Sequence, residues 1–256
     1  MALLEIDNLC KRFGGLHAVS EVSFAVEPGI IKAVIGPNGA GKTTLFNLIA
    51  GSLPVTSGQV SFEGKTITGS KPYQIAEQGI SRTYQNIKLY HGMTALENVM
   101  IGRHVRSSAG FIAGMLNLPG TRKEEREIRD YCMSLLEMLE VGHLADTEAT
   151  SLSFGQQRTV EMARALALEP KLLLLDEPAA GLNIYETAEV GRLISKINQQ
   201  GITVLLVEHD MSLVMEISHE IVVLSFGRKI AEDEPAAIQQ DQEVIKIYLG
   251  EADDDA

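Results

Sequence analysis

The chain has 256 residues, enough for a sizeable core and, at roughly 150 residues per domain, for one large unit carrying a subdomain. Its 34 acidic against 22 basic residues leave a net charge of −12, which argues against nucleic acid or anionic lipid as general partners and obliges any polyphosphate ligand to find a local positive site. Two cysteines, Cys10 and Cys132, cannot staple a fold of this size, so a reducing, cytosolic compartment is expected and disulfide-rich and metal-finger classes are excluded. No apolar run approaches the roughly 20 residues that span a bilayer, and Glu5 and Asp7 break the apolar stretch that a signal peptide needs. A membrane role is therefore expected only through a partner.

In chain order, Leu4, Ile6 and Leu9, then Val22, Phe24 and Val26, alternate as half-buried strands do, ahead of a turn at Pro28-Gly29. Ile30 to Ile35 is nearly continuous apolar sequence, the pattern of a strand buried on both faces. Gly36 to Gly41 interrupts it, and Lys42 to Ala50 is helix-compatible. After a loop over Gly51 to Gly58, Gln59 to Phe62 and Lys65 to Ile67 read as a hairpin around Glu63-Gly64. From about Pro72 to Leu168 the reading is mostly helical, with an irregular stretch between Arg103 and Arg122 and a strongly amphipathic segment from Glu124 to Leu139. Residues 86–168, approximately, form the candidate inserted helical subdomain. Beyond Lys171, strands (Leu172 to Leu175, Thr203 to Val207, Ile221 to Leu224) alternate with helices (Glu186 to Gln199, Met211 to Ile217), the signature of a parallel α/β sheet. The last residues, Glu251 to Ala256, are acidic. Neither repeats nor low-complexity segments occur, which argues against a solenoid, a fibre or a long coiled coil.

Gly36-Pro37-Asn38-Gly39-Ala40-Gly41-Lys42-Thr43 fits G-x-x-x-x-G-K-S/T and lies between an expected strand and an expected helix, as its mechanism requires. Glycines let successive backbone N–H groups turn inward around phosphates, the helix start adds its positive end, Lys42 a point charge, and the Thr43 hydroxyl a ligand for Mg²⁺. Leu172 to Leu175 forms an apolar strand that delivers Asp176 and Glu177 to a sheet edge, Asp176 for indirect Mg²⁺ coordination and Glu177 to orient or deprotonate water. Ser153-Phe154-Gly155-Gln156, opening a helix, offers a second anion site. One nucleotide has one γ-phosphate, so the second site is expected to serve another copy's nucleotide, with ATP held between two subunits.

With these motifs in this order, the chain resembles the nucleotide-binding subunit of an ABC transporter over nearly its whole length. The resemblance implies an α/β P-loop (RecA-like) core with an N-terminal antiparallel β subdomain and an inserted α-helical subdomain, all in one ABC ATPase domain over residues 1–256. It implies that Gly36 to Thr44 is the Walker A loop, Gln85 in Arg82-Thr-Tyr-Gln85 the Q-loop glutamine, and Ser153, Gly155 and Gln156 the signature contacts. Asp176 and Glu177 become the Walker B pair, His209 in Glu208-His-Asp210 the switch histidine, and Phe13 the aromatic that stacks on adenine. By the same likeness Glu177, His209 and Gln85 serve catalysis, Thr43, Gln85 and Asp176 surround Mg²⁺, and the cofactors are ATP and Mg²⁺. Two departures stand out: the signature has Phe154 where Gly is commoner, and Asn183 follows Walker B where many members carry Asp.

Phe13 to Ser20, Arg82 to Gln85, Glu177 to Asn183, Glu208 to Met215 and Ile247 to Glu251 together resemble the ATPases of branched-chain amino-acid importers. The implied partners are transmembrane permease subunits, a second ATPase subunit (identical or related) and a periplasmic or extracellular solute-binding protein, with no nucleic acid; the implied place is the cytoplasmic face of the membrane. Alternatives are the ATPase of lipopolysaccharide export, a soluble ABC ATPase of repair, translation or cofactor assembly, and a nucleotide-gated scaffold. Repair members carry a coiled-coil insertion and translation members a second cassette, both missing here, and Glu177 opposes the scaffold. Phe111 to Leu116 is read as an apolar loop on its own subdomain, the groove beside Gln85 as the permease-docking surface, and Asp253 to Asp255 as a solvated end.

Overall fold

The computed structural model describes residues 1–103 and 119–250 and divides into two units, Met1–Arg82 with Lys171–Ala256, and Thr83–Pro170. The first unit opens on β1 (Leu4–Phe13), β2 (Leu16–Val26) and β3 (Ile31–Ile35), then α1 (Lys42–Ile49), β4 (Ser57–Phe62), β5 (Lys65–Thr66), α2 (Pro72–Glu77) and β6 (Ile80–Arg82). Alternation along β1 buries Leu4, Ile6 and Leu9, and an antiparallel sheet forms in the order β2-β1-β4-β5. Glu63 (φ 49°) and Gly64 (φ 72°) both take left-handed backbone, the requirement of a two-residue hairpin turn whose twist matches the strands. Strand β6 falls where helix was expected. Three residues carry too little periodicity to be read, and Ile80–Arg82 pairs in parallel with Leu172–Leu174 at the sheet edge.

The second unit contains α3 (Ala95–Arg103), α4 (Pro119–Met138) and α5 (Phe154–Leu166). On α4 the buried residues Cys132, Leu135 and Leu136, with Leu139 just beyond its end, recur at helical spacing. Helix α3 approaches α5 closely: a Cβ at Gly102 would lie 2.1 Å from the Arg164 carbonyl oxygen, so no larger residue fits. The amphipathic helix begins at Pro119, ahead of the expected Glu124; the Phe111–Leu116 loop and the acidic tail lie outside the described residues. Burial raises the Cys132 thiol to about 11, whereas Cys10 is partly exposed. A thiol-specific reagent at pH 8 is therefore expected to modify Cys10 in the native protein and Cys132 only after denaturation; equal rates for both would show that α4 does not bury its apolar face.

Returning to the first unit, the chain forms β7 (Leu172–Asp176), α6 (Ile184–Gln199), β8 (Thr203–Val207), α7 (Met211–Ile217), β9 (Glu220–Ser225), β10 (Arg228–Asp233), α8 (Pro235–Ile238) and α9 (Gln242–Gly250). The second sheet has the order β10-β9-β3-β8-β7-β6, parallel throughout except for the edge pair β9-β10. All residues of β3, β7 and β8 are buried, as continuous apolar runs require. Truncating a fully buried leucine such as Leu174 to Ala costs about 2–5 kcal/mol at such positions.

Candidate active site

The phosphate-binding segment is shaped by what β3 abuts. The chain leaves the sheet at Gly36 (φ 149°), where a Cβ would come within 2.1 Å of the Leu224 carbonyl oxygen. It enters α1 through Gly41 (φ 100°), where a Cβ would come within 2.3 Å of the Ala18 carbonyl oxygen. No side chain caps α1 at Gly41, and the start of a helix is where backbone N–H groups and the helix dipole favour an anion. Lys42 is buried, and its Nζ donates to the carbonyls of Gly36 and, at 2.9 Å, Pro37, which keeps the ammonium inside the loop. The Thr43 side chain is exposed.

Strand β7 ends in the buried Asp176, whose Oδ2 accepts from Arg82 Nη2 at 2.7 Å. Arg82 Nη1 donates to Asn47 Oδ1 of α1, also at 2.7 Å, so one guanidinium ties the strand-end carboxylate to the helix behind the phosphate loop. Glu177 follows at φ 49°, left-handed backbone that costs a non-glycine residue roughly 1–2 kcal/mol. Its N–H donates to the Val207 carbonyl of β8 at 2.9 Å, and the strained turn swings the partly exposed carboxylate off the strand line.

Strand β8 runs into Glu208, fully buried, and the exposed His209. Glu208 Oε1 accepts from the Ala179 N–H at 2.7 Å, and Oε2 accepts from the N–H groups of His209 at 3.0 Å and Asp210 at 3.4 Å. One carboxylate thus joins the segment after Glu177 to the segment bearing His209. Burial pushes its carboxyl above the ordinary value, while those three N–H groups pull it back. Since β3, β7 and β8 are parallel, Gly36–Gly41, Glu177 and His209 leave by the same edge, the carboxyl edge at which open α/β sheets bind ligands. Phe13 stands half exposed at the end of β1, with Lys11 Nζ 5.0 Å from its ring centre.

Gln85 and the Ser153–Gln156 segment belong to the second unit. Ser153 caps α5: its Oγ accepts from the Gln156 N–H at 3.4 Å while its own N–H donates to Gln156 Oε1 at 3.0 Å. A hydroxyl that accepts in this way keeps its O–H to donate, and both residues remain accessible at the helix N-terminus. Asn183 explains its own departure: its Oδ1 caps α6 by accepting from Tyr185 at 3.0 Å and Glu186 at 3.1 Å, work that Asn and Asp do equally well. The roles read from the motifs do not include Arg82, Arg158, Glu161 or Glu208, although Arg82 and Glu208 stand inside the quoted Arg82–Gln85 and Glu208–Asp210 stretches.

Among the described residues no three His, Cys, Asp or Glu side chains converge to cage a metal. Mg²⁺ does not need such a cage, because it keeps waters and takes phosphate oxygens beside one or two protein donors. The Thr43 hydroxyl and the Asp176 carboxylate are hard oxygen donors of that kind, so the residues present fit the ion.

The sheet, the phosphate loop and the acids at the carboxyl edge are those of a phosphate-loop ATPase fold. Residues 19–180 match the ABC transporter family model, and residues 228–254 match that of the branched-chain amino acid ATP-binding cassette transporter. The chain is 44% identical over 251 residues to the high-affinity branched-chain amino acid transport ATP-binding protein BraF of Pseudomonas aeruginosa, covering 98% of each. It superposes with a TM-score of 0.83 and 35% identity on the ADP conformation of an ATP-binding cassette of an ABC transporter, covering 98% of this chain and 99% of that one. A dimeric cassette in a post-hydrolysis state, bound to ADP and Pi, matches with a TM-score of 0.76 and 26% identity over 91% of this chain and 98% of that one. The chain belongs to the ABC transporter family of ATPases.

Proposed function

We propose that the chain is the ATP-hydrolysing subunit of an importer for branched-chain amino acids, working through separate permease subunits with a solute-binding protein on the outer side. The observation that carries this reading is the full-length likeness to the BraF relative together with the match of residues 228–254, a segment outside the general ATPase motifs.

In this reading the N–H groups of Gly36–Gly41 and the start of α1 bind the β- and γ-phosphates, with Pro37, Asn38, Gly39 and Ala40 completing the loop and Thr44 following in the first turn. Lys42 turns from its loop carbonyls to the phosphate oxygens. Phe13 stacks on the adenine. Thr43 and Asp176 would hold Mg²⁺, which would supply positive charge against the phosphate oxygens. Glu177 accepts the proton of the attacking water, and His209 and Gln85 read the γ-phosphate. Ser153, Gly155 and Gln156 complete the nucleotide site of a second ATPase copy, identical or related. The place of action is the cytoplasmic face of the membrane.

No helix among the described residues is long and apolar enough to cross a membrane, and the net charge is −12. Tagged chain is therefore expected in the membrane fraction only when its permease subunits are co-expressed, and to co-purify with them. Tight binding of the purified chain to protein-free anionic vesicles, or co-purification with no membrane protein, would contradict the proposal.

A further inference from the structure

Helix α5 carries an unusual load for a helix packed on its neighbours. Arg158 is fully buried, and its guanidinium reaches the irregular segment after Thr83: Nη1 donates to the Tyr84 carbonyl at 2.8 Å and Nη2 to the Gln85 carbonyl at 3.0 Å. The counter-charge is Glu161, one turn along and equally buried, whose Oε2 accepts from Arg158 Nη1 at 2.9 Å. Arg164 flanks the same carboxylate at 3.7 Å and donates to the Lys88 carbonyl. Two arginines of one helix, with one acid between them, thus grip three carbonyls of the segment that presents Gln85. Farther along, buried Asn98 holds Tyr90 at both its N–H (2.8 Å) and its carbonyl (3.3 Å). Surface arginines are common, but burying one is costly unless its donors find acceptors; here main-chain carbonyls and Glu161 take Nη1 and Nη2, and Nε is left without a partner among the described residues.

We infer that Arg158 is a positioning residue that holds Gln85 through its backbone, so that the Gln85 segment and the Ser153–Gln156 segment, which ends two residues ahead of Arg158 on the same helix start, move as one piece. The inference rests on the proposed roles of Gln85 and Ser153 at γ-phosphate. Its consequence is that displacement of Gln85 is transmitted to the signature segment without passing through nucleotide. A planar, bidentate guanidinium holds two carbonyls in fixed directions, whereas a lysine ammonium can bond both but is a single rotatable point charge that does not fix their orientation.

The test is a double-mutant cycle on ATP turnover in the assembled transporter. Arg158→Met with Glu161→Gln removes the grip without leaving an unpaired buried charge, which would by itself be strongly destabilising. Nucleotide affinity of the chain should stay within about twofold, while kcat should fall roughly 10-fold or more with little change in KM. Adding the same pair to Gln85→Ala should then lower kcat no further, because a residue that acts through Gln85 has nothing left to position. Multiplying losses, or a kcat equal to wild type in the Arg158→Met, Glu161→Gln protein beside a Gln85→Ala protein that has lost turnover, overturns the inference alone. Wild-type kcat in Gln85→Ala overturns the reading of Gln85 and the inference with it. Arg158→Lys, which keeps the charge for Glu161, goes through the same cycle if the double variant does not fold, with the same outcomes.

Discussion

Replacing Glu177 with Gln should lower ATP turnover by roughly 10²-fold or more while leaving nucleotide bound, as loss of a general base requires. Gln keeps the length and hydrogen-bonding capacity of Glu, and the residue already occupies left-handed backbone at φ 49°, so the substitution adds no new strain. What it removes is the carboxylate that takes the proton. ATP should then persist between phosphate loop and signature segment, and the variant should sediment as a dimer in Mg²⁺ and ATP, alone or with its cognate second ATPase subunit. Adding Ser153→Arg should dissolve that dimer, because Ser153 sits exposed at the start of α5, where the partner's phosphate would bind and where a long side chain has no room beside it. Wild-type turnover in the Glu177→Gln protein would remove Glu177 from its role.

Lys42→Ala should weaken ATP binding by about 2–5 kcal/mol, roughly 30-fold to a few thousand-fold in Kd, the range for losing one partner of a desolvated charge pair. The fold should survive. Lys42 contributes two hydrogen bonds to its own loop, but Gly36 and Gly41 are fixed by their backbone angles and by close approach to Leu224 and Ala18. Isothermal titration with Mg²⁺-ATP, with circular dichroism as the control on folding, decides it. Near-wild-type affinity in a folded variant would sink the phosphate-loop assignment.

Much of this fold is legible in the sequence for a physical reason. Strands β3, β7 and β8 are buried on both faces and so are written as largely apolar runs, with Lys32 inside β3 and polar residues only at the ends of β7 and β8, and the loop after β3 had to be written in glycine. The edges are harder to read. Strand β6 has three residues and owes its existence to Leu172–Leu174 beside it, and β10 is partly exposed along most of its length, without the alternation that marks a buried face. In the candidate site, residues that meet a ligand through their own chemistry stand in motifs of fixed spacing. Residues that act by tertiary contact carry no mark of their partner even where they adjoin a motif: Arg82 finds Asp176 across 94 positions, Arg158 finds Tyr84 across 74, and Glu208 finds Ala179 across 29. Arg158 and Glu161, three apart among the buried residues Thr159, Val160, Met162 and Ala163, are the nearest to a readable sign, because two charges in a buried stripe need each other or a main-chain partner.

Solute accumulation is the most direct measure of the central claim. In proteoliposomes carrying the permease subunits, this chain and its second ATPase subunit, with the solute-binding protein added on the outer side and ATP supplied on the ATPase side, labelled leucine, isoleucine and valine should accumulate against a gradient. Accumulation should stop with Glu177→Gln. ATP turnover that continues without accumulation of any of the three, or that drives movement in the opposite direction, would contradict it.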